Sequence, residues 1–300
     1  MDRSKPVAVG LGELLWDIFE DGERPGGAPA NVAYHANQLG LRGVIVSRVG
    51  SDERGNGLLD HLQTKSLSRR YVQQDETHPT GTVTVHNANT GPAYSIHEDV
   101  AWDYIDATDD VLALMREADA ICFGSLAQRT EQSRKTIQRC LDAGSENCLK
   151  VFDVNLRPPH NSADVMRPSA TLCNVLKLNE DEVPDVAEML GMAEREIEPF
   201  AKAFAESQNA IVAITLGSEG CLLSRGDEIH RAPSKQVEVA DTVGAGDSFT
   251  AGLVYGLLHD WPLEKVGRFA NRIGGLVASS EGAMPDLEDD FAQLKREFEN

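Results

Sequence analysis

Short apolar runs rich in β-branched residues recur along the chain with segments of helical period between them, and this alternation limits the possible folds more than any other feature. Val7–Leu11, Gly43–Val49, Ala120–Ser125, Leu149–Val154, Val175–Leu178 and Ala210–Leu216 read as buried strands; Ala30–Leu39, Gly57–Gln63, Glu131–Ala143, Asp181–Leu190 and Ile197–Glu206 read as helices. Strands of this kind are apolar on both faces, so the pattern predicts an α/β fold with a central, mainly parallel sheet between helices. It breaks once. Thr82–Asn87 and Ala93–His97 alternate with period two around Asn89-Thr90-Gly91, as in a hairpin with one solvated face. Such a hairpin is either a lid over the carboxyl ends of the strands, where parallel sheets bind ligands, or an edge hairpin with no moving role. No repeat or Ser/Gly-rich linker divides the 300 residues, which read as one domain carrying this insertion. Gly-rich stretches at Gly217–Gly226 and Gly244–Gly256 precede a strongly helical end from Pro262 onward.

The charge balance narrows the choice of ligand. With 28 Lys and Arg against 48 Asp and Glu, the net charge of -20 argues against a broad basic surface for nucleic acid. An anionic ligand must be caught locally, by backbone N–H groups, a helix N-terminus or a few placed cations. Five cysteines, odd in number and without a C-x-x-C pair, suggest neither a disulfide framework nor a zinc clip and fit a reducing compartment. Gly10, Gly12 and Glu13 interrupt the apolar run at the N-terminus before a signal-peptide core forms, and no stretch reaches the roughly 20 apolar residues of a membrane helix. The expectation is a cytoplasmic protein with no membrane or nucleic-acid partner.

The segment Asp241-Thr242-Val243-Gly244-Ala245-Gly246-Asp247-Ser248-Phe249-Thr250-Ala251-Gly252 carries the most chemistry. Its glycines permit a tight turn, and a helix opening at Asp247 with Phe249, Leu253 and Leu257 on its apolar face would bring free N–H groups and a positive dipole end to one point. Asp247 beside such an anion site is either an N-cap or the acceptor of a proton from an attacking hydroxyl. A P-loop is absent, and Gly10-Leu11-Gly12 lacks the third glycine of a dinucleotide fingerprint because Leu15 stands there. The eight histidines are scattered and read as surface or core residues rather than ligands. Upstream, Gly26-Gly27-Ala28-Pro29-Ala30-Asn31 joins a glycine pair to a helix start, and Asn31 lies in the first turn of an otherwise apolar helix, where its amide could face a polar ligand. Asp17, between Trp16 and Ile18, is a charge in an apolar strand; it sits on a solvated face or points at hydroxyls.

Together these segments resemble the ribokinase-like (PfkB) sugar kinases. Asp241–Gly252 is similar to the C-terminal signature of that family, Gly26–Gly40 to its N-terminal glycine-pair region, Lys177-Leu178-Asn179-Glu180-Asp181-Glu182 to its Asn-x-x-Glu motif and Thr215-Leu216-Gly217-Ser218-Glu219-Gly220 to its nucleotide loop. Gly12–Asp17, Arg24–Asn31 and Phe152–Pro158 look most like fructokinases, and Ala28-Pro29 stands where a ribokinase more typically has Lys-Gly. Pro158–Asp164 lacks a tryptophan that fructokinases often carry there, and Tyr34, His35 and Asn37 occupy positions where small apolar residues are commoner.

The resemblance implies a ribokinase-like fold over residues 1–300 with a small β lid from segments near 11–24 and 81–102, whose exposed edge could pair two subunits as a homodimer. It implies transfer of the γ-phosphoryl group of ATP to a sugar, which by likeness is fructose; the alternatives are another small acceptor (2-keto-3-deoxygluconate, ribose or a nucleoside) or a non-catalytic sugar-binding protein. Asp247 would be the base and Gly244, Ala245 and Gly246 the anion hole. Asp17, Gly27, Asn31 and Asn155, with Arg157 beside them, would meet the sugar, and Asn179, Thr215, Gly217, Gly220 and Asn271 would serve the nucleotide. Glu182 would act on Mg²⁺ through water, and Asp241 would help hold a monovalent cation such as K⁺ or be a simple turn residue.

Overall fold

A computed structural model describes residues 5–88 and 91–299, with the side chains of 86–88 and 91–94 left aside. The strands are β1 Val7–Leu11, β2 Leu15–Phe19, β3 Gly22–Gly26, β4 Arg42–Gly50, β5 Val72–Asp75, β6 Gly81–Ala88, β7 Gly91–Ile96, β8 Ala120–Gly124, β9 Leu149–Asp153, β10 Val175–Asn179, β11 Ile211–Thr215, β12 Cys221–Arg225 and β13 Glu228–Ala232. The helices are α1 Ala28–Gln38, α2 Glu53–Thr64, α3 Asp109–Glu117, α4 Glu131–Ala143, α5 Ala163–Leu172, α6 Val183–Leu190, α7 Ile197–Gln208, α8 Ala245–Leu258, α9 Leu263–Ala278 and α10 Glu288–Glu299. Nine strands form one sheet in the order β13-β12-β11-β10-β9-β8-β1-β4-β5. From β5 to β11 neighbouring strands are parallel, and only the β11-β12-β13 edge is antiparallel.

Alternation along the strands sorts most of their side chains between two cores, and Ile45, Val49 and Val72 join a smaller third cluster with Leu58 and Leu62 of α2. Val7, Val9, Leu11, Ile121, Phe123, Leu176 and Ile214 pack toward α3–α7, whereas Ala8, Ala120, Cys122, Val175 and Ala213 face α1, α8, α9 and α10. The second face carries small residues, so helices approach it closely; a Cβ on Gly10 would collide with the carbonyl of Pro29 in α1. All five cysteines are buried and unpaired. No described helix is long and apolar enough to cross a membrane.

The hairpin seen in the sequence belongs to a second, four-stranded sheet in the order β3-β2-β6-β7, with β2 and β6 parallel. Its expected turn residues Asn89 and Thr90 lie outside the described residues, as do Met1–Ser4 at the N-terminus. Several boundaries differ from the sequence reading. α1 opens at Ala28, two residues early, with Pro29 in its first turn and Gly27 as N-cap at φ 123°. Asp181 and its neighbours form a short 3₁₀ turn, Glu180–Glu182, ahead of α6. The glycine-rich stretch 217–226 is largely the hairpin to β12.

Candidate active site

Strands β1, β8, β9 and β10 end on the same side of the sheet, and the N-termini of α1 and α8 are brought to that edge. α8 starts at Ala245, so Gly246 and Asp247 lie inside its first turn, with Gly244 as N-cap at φ 78°. Asp247 is therefore not the cap, which corrects one of the two sequence readings: no side chain caps this helix. The N–H groups of Gly246 and Asp247, among the first four of the helix, have no carbonyl four residues back, which leaves a donor pair at the positive dipole end. α8 is also buried all round from Ser248 to Leu257, rather than on the single face Phe249, Leu253 and Leu257.

Asp247 Oδ2 accepts a hydrogen bond from Asn31 Nδ2 at 2.7 Å, which links the two glycine motifs across the chain. The Asn31 Oδ1 atom is buried and has no partner among the described residues. Burial, reinforced by the charge of Asp153, pushes the Asp247 carboxyl up to about 6, although Asn31, Lys177 and Arg157 favour its charged form. Beneath the turn, Lys177 Nζ donates to Asp153 Oδ1 at 2.9 Å, and Thr250 Oγ1 donates to Asp153 Oδ2 at 2.8 Å. Burial alone would depress the Lys177 ammonium, but Asp153, with Glu182 and Asp247, holds it above its ordinary range. A Cβ on Gly246 would stand 3.2 Å from Lys177 Nζ, so the turn rests on this ion pair.

The other expected acceptor residues surround Arg157. Burial lifts Asp17 to about 6, and Arg157 opposes that shift. The Asp17 carboxylate lies directly over Gly26, where any Cβ would collide with Oδ2, and this explains the glycine before Gly27. Asn155, at φ 45°, turns the chain out of β9 toward Arg157. Arg24, which the sequence places next to the glycine pair, is instead on the surface, bonded to Asp21 at 2.9 Å and lying over Phe19.

Asn179 and Glu182 cap one another. Glu182 N donates to Asn179 Oδ1 at 3.0 Å, and Asn179 N donates to Glu182 Oε2 at 2.9 Å. The remaining Glu182 oxygen accepts from Leu156 N at 2.6 Å, so this carboxylate braces the loop that carries Asn155 and Arg157. Asp241 closes two turns, accepting from Val243 N at 3.0 Å and Gly282 N at 3.2 Å. Among the described residues no group of three or more His, Cys, Asp or Glu is arranged to hold a metal.

A second group lies along the sheet. Thr215 pairs with Asn179 in the β10–β11 register, and Gly217 (φ 53°) follows it. Gly220 (φ 109°) lies against the Ala232 carbonyl, the same atom that receives Asn271 Nδ2 at 2.8 Å. Asn271 lines a cavity of about 590 Å³ with Lys235, Val237, Arg272, Gly275 and Ser279. Val237 and Val239 are exposed beside it.

Tyr34, His35 and Gln38, two of them unusual for their positions, clasp the chain around 283–287. Tyr34 Oη donates to Pro285 O at 3.1 Å, His35 Nε2 to Ala283 O at 2.9 Å and Gln38 Nε2 to Pro285 O at 3.1 Å. Burial holds His35 down at about 4, so it is neutral and keeps Nδ1 as an acceptor. Sequence reasoning missed Glu13, Arg129, Asp153 and Lys177. A carboxylate in the apolar run Gly12-Glu13-Leu14-Leu15 was a readable signal; the Asp153–Lys177 pair was not, because its members lie on separate strands.

Comparison with known proteins agrees with this fold. The model of the pfkB family carbohydrate kinases matches residues 9–290. The uncharacterized sugar kinase PH1459 of Pyrococcus horikoshii is 32% identical over 92% of this chain and 91% of its own. Its crystal structure superposes with a TM-score of 0.86 over 97% of this chain and 99% of that one. An ATP-dependent 6-phosphofructokinase of Thermoanaerobacterium thermosaccharolyticum is 28% identical (96% and 92% covered), and a fructokinase of Escherichia coli 29% identical (92% and 94% covered). The fold is thus ribokinase-like, and the chain belongs to the pfkB family of carbohydrate kinases, phosphotransferases that act on a sugar hydroxyl.

Proposed function

We propose that this kinase transfers the γ-phosphoryl group of ATP to the 6-hydroxyl of fructose. The observation that carries the acceptor assignment is the charge around Asp247: Glu13, Asp17 and Asp247 face Arg157, while Lys177 and Arg129 are already neutralised by Asp153 and Asp103. Such a surface offers acceptors and donors to a neutral polyol and gives an anionic sugar little net attraction. Arg157 makes no ion pair within 4.0 Å among the described residues, and it favours a second reading, an acceptor with a carboxylate such as 2-keto-3-deoxygluconate.

In the reaction, Asp247 accepts the proton of the acceptor hydroxyl as the hydroxyl oxygen attacks the γ-phosphorus and the bond from that phosphorus to the β,γ-bridging oxygen breaks, releasing ADP, and Asn31 holds the carboxylate in place through its amide. The N–H groups of Gly246 and Asp247, approached through Gly244 and Ala245, stabilise charge on the transferring group. Asp17, Gly27, Asn155 and Arg157 position the sugar. The cavity beside Asn271 suits a nucleotide base, with Val237 as an apolar wall; Gly220 adjoins it through the Ala232 carbonyl that also receives Asn271, and Thr215 and Gly217 would serve the phosphates. Mg²⁺ would neutralise phosphate charge; the residues present suit an ion held mainly by phosphates and water, with Asn179 and Glu182 able to reach it only through water. Asp241 suits a monovalent cation such as K⁺ because its carboxylate already joins the two turns beside the anion hole. The small sheet would act as a lid and offer a face for a homodimer, and the use of ATP together with five unpaired cysteines supports a cytoplasmic enzyme. ADP release measured against fructose, ribose, 2-keto-3-deoxygluconate, adenosine and fructose 6-phosphate tests the reading; fructose should give the highest kcat/KM, and a preference for any other acceptor would overturn it.

A further inference from the structure

Beyond the residues already assigned, three buried polar atoms at the acceptor edge have no hydrogen-bonding partner among the described residues: Glu13 Oε2, Arg129 Nη1 and Trp102 Nε1. Buried polar groups are rarely left unpaired, so a cluster of them at one edge needs an explanation. They belong to one neighbourhood. A Cβ on Gly12 would lie 2.9 Å from Pro29 Cγ and 3.2 Å from Ala127 Cβ, so Glu13 leaves β1 against the turn that leads into Arg129. The carbonyl of Glu13 sits 2.5 Å from where Gly27 would carry a Cβ, which ties it to the glycine pair. Glu13 is within electrostatic reach of Arg157, Asp247 and Arg129. The Arg129 guanidinium lies 3.9 Å from the Trp102 ring centroid, and the Trp102 indole N–H lies over Gly81, beside Leu15.

Arg129 is not a free cation. Its Nε and Nη2 each donate to Asp103 at 2.7 Å, and Nη2 also donates to the His97 carbonyl at 2.6 Å. The ion pair cancels its charge and fixes its plane, and the one edge without a partner is Nη1. What remains is one acceptor, on Glu13, and one donor, on Arg129, both about 95% buried. A hydroxyl can donate to the first and accept from the second at once. A carboxylate or a fully ionised phosphate has no proton to give an ionised Glu13, and it would bring negative charge beside a carboxyl whose neighbouring arginine is already paired.

We propose that Glu13 and Arg129 are specificity-determining residues that hold a hydroxyl of the acceptor between Glu13 Oε2 and Arg129 Nη1, and so select a hydroxyl against an anionic group at that point. The inference rests on the proposed acceptor site and adds two residues and a rejection rule to it. The indole N–H of Trp102 supplies a further donor on the same side.

The test uses the full-length enzyme. The wild type is first assayed with fructose and fructose 6-phosphate, then with fructose analogues each lacking one hydroxyl, beside Glu13→Gln and Arg129→Lys. Lysine keeps the charge that Asp103 needs but cannot present the second donor edge. For fructose, each variant should lose about 10- to 100-fold in kcat/KM, largely as a raised KM, with the KM for ATP within twofold of wild type. With the one analogue that lacks the bridging hydroxyl, wild type and both variants should be nearly equal, an equality that a merely structural role would not produce. An unchanged kcat/KM for fructose in both variants, a loss of equal size for every analogue, or a wild-type preference for fructose 6-phosphate would overturn the proposal. If one variant fails to fold, the other alone decides. Failure of the acceptor reading looks different: the wild type would then turn over neither fructose nor its analogues, whatever stands at positions 13 and 129, and both inferences would fall.

Discussion

At the scale of single residues, the contact between Asn31 and Asp247 decides how the enzyme should respond to substitution and to pH. An N-cap role would let asparagine replace Asp247 at little cost, but Gly244 occupies the cap and Asp247 faces Asn31. Asp247→Asn should therefore lower kcat by about 10²–10⁴-fold, with ATP binding, measured by calorimetry, close to wild type. A variant that keeps most of its activity would remove Asp247 as the base. The carboxyl must be ionised to accept a proton, and burial raises it to about 6. The profile of kcat/KM should accordingly fall on the acid side near pH 6, rather than near the ordinary aspartate value of about 4. Stability follows the opposite direction. Glu13, Asp17 and Asp247 all bind protons more tightly in the folded chain, so their contribution is greatest below the unfolded values near 4 and is lost as pH rises through 6 to 7. Burial lowers the imidazoles of His35, His61 and His160, which act in the opposite direction by losing stability below about pH 6.5, so the carboxyl contribution is isolated by substitution: Asp17→Asn should shrink any loss of stability between pH 5 and pH 7, read by thermal melts at the two pH values, and an unchanged pH dependence would remove the claim.

At the scale of elements, the sequence shows well what local period carries and poorly what depends on contacts between distant segments. β1, β8, β10 and β11 were legible because unbroken apolar runs survive burial on both faces. β12 and β13 were not, since Arg225, Glu228 and Arg231 give an edge hairpin the look of a polar loop. α5 was hidden by Pro168 inside it. The start of α8 was misplaced because glycines at 244 and 246 look like a turn, although only Gly244 has a positive φ. This separates two substitutions that look alike in sequence. A side chain at Gly244 would meet Ala283 O at 2.7 Å in a left-handed backbone, so Gly244→Val tests folding. Gly246 is helical and open except toward Lys177, so Gly246→Ala should fold and lower kcat more than the sugar KM, because it disturbs an interaction that strengthens in the transition state. Equal effects on both would argue against the anion hole. Tyr34, His35 and Gln38 looked out of place in α1 until their partners were visible, at 283–285 in a segment remote in sequence. By clasping that segment they steady the turn that Asp241 closes. If a monovalent cation binds there, K⁺ should raise the rate over a bulky organic cation at equal ionic strength, and equal rates would dismiss it.

At the scale of the whole molecule, two properties matter beyond the site: the shape of the small sheet and the total charge. Both edge strands of that sheet carry a proline, Pro25 in β3 and Pro92 in β7. Proline interrupts the row of donors that strand-to-strand pairing needs, so two copies would meet through a face of the sheet rather than by extending its ladder. The net charge of -20 acts at longer range. An ATP–metal complex is itself an anion, and at about 0.01 M salt, where the Debye length is about 30 Å, it experiences nearly the whole negative molecule. At about 0.1 M the length falls to about 10 Å, and mainly neighbours of the cavity are felt, among them Lys235 against Glu238, with Arg272 already paired to Glu297 at 3.5 Å. Raising salt therefore screens the distant repulsion before it screens the nearby attraction. The kcat/KM for ATP should rise several-fold between these two concentrations, in a salt whose cation does not activate the enzyme, while the KM of a neutral sugar stays level. A flat or falling ATP dependence would mean that the local cations, not the net charge, govern nucleotide capture; a sugar KM that moved in parallel would mean that the acceptor is charged.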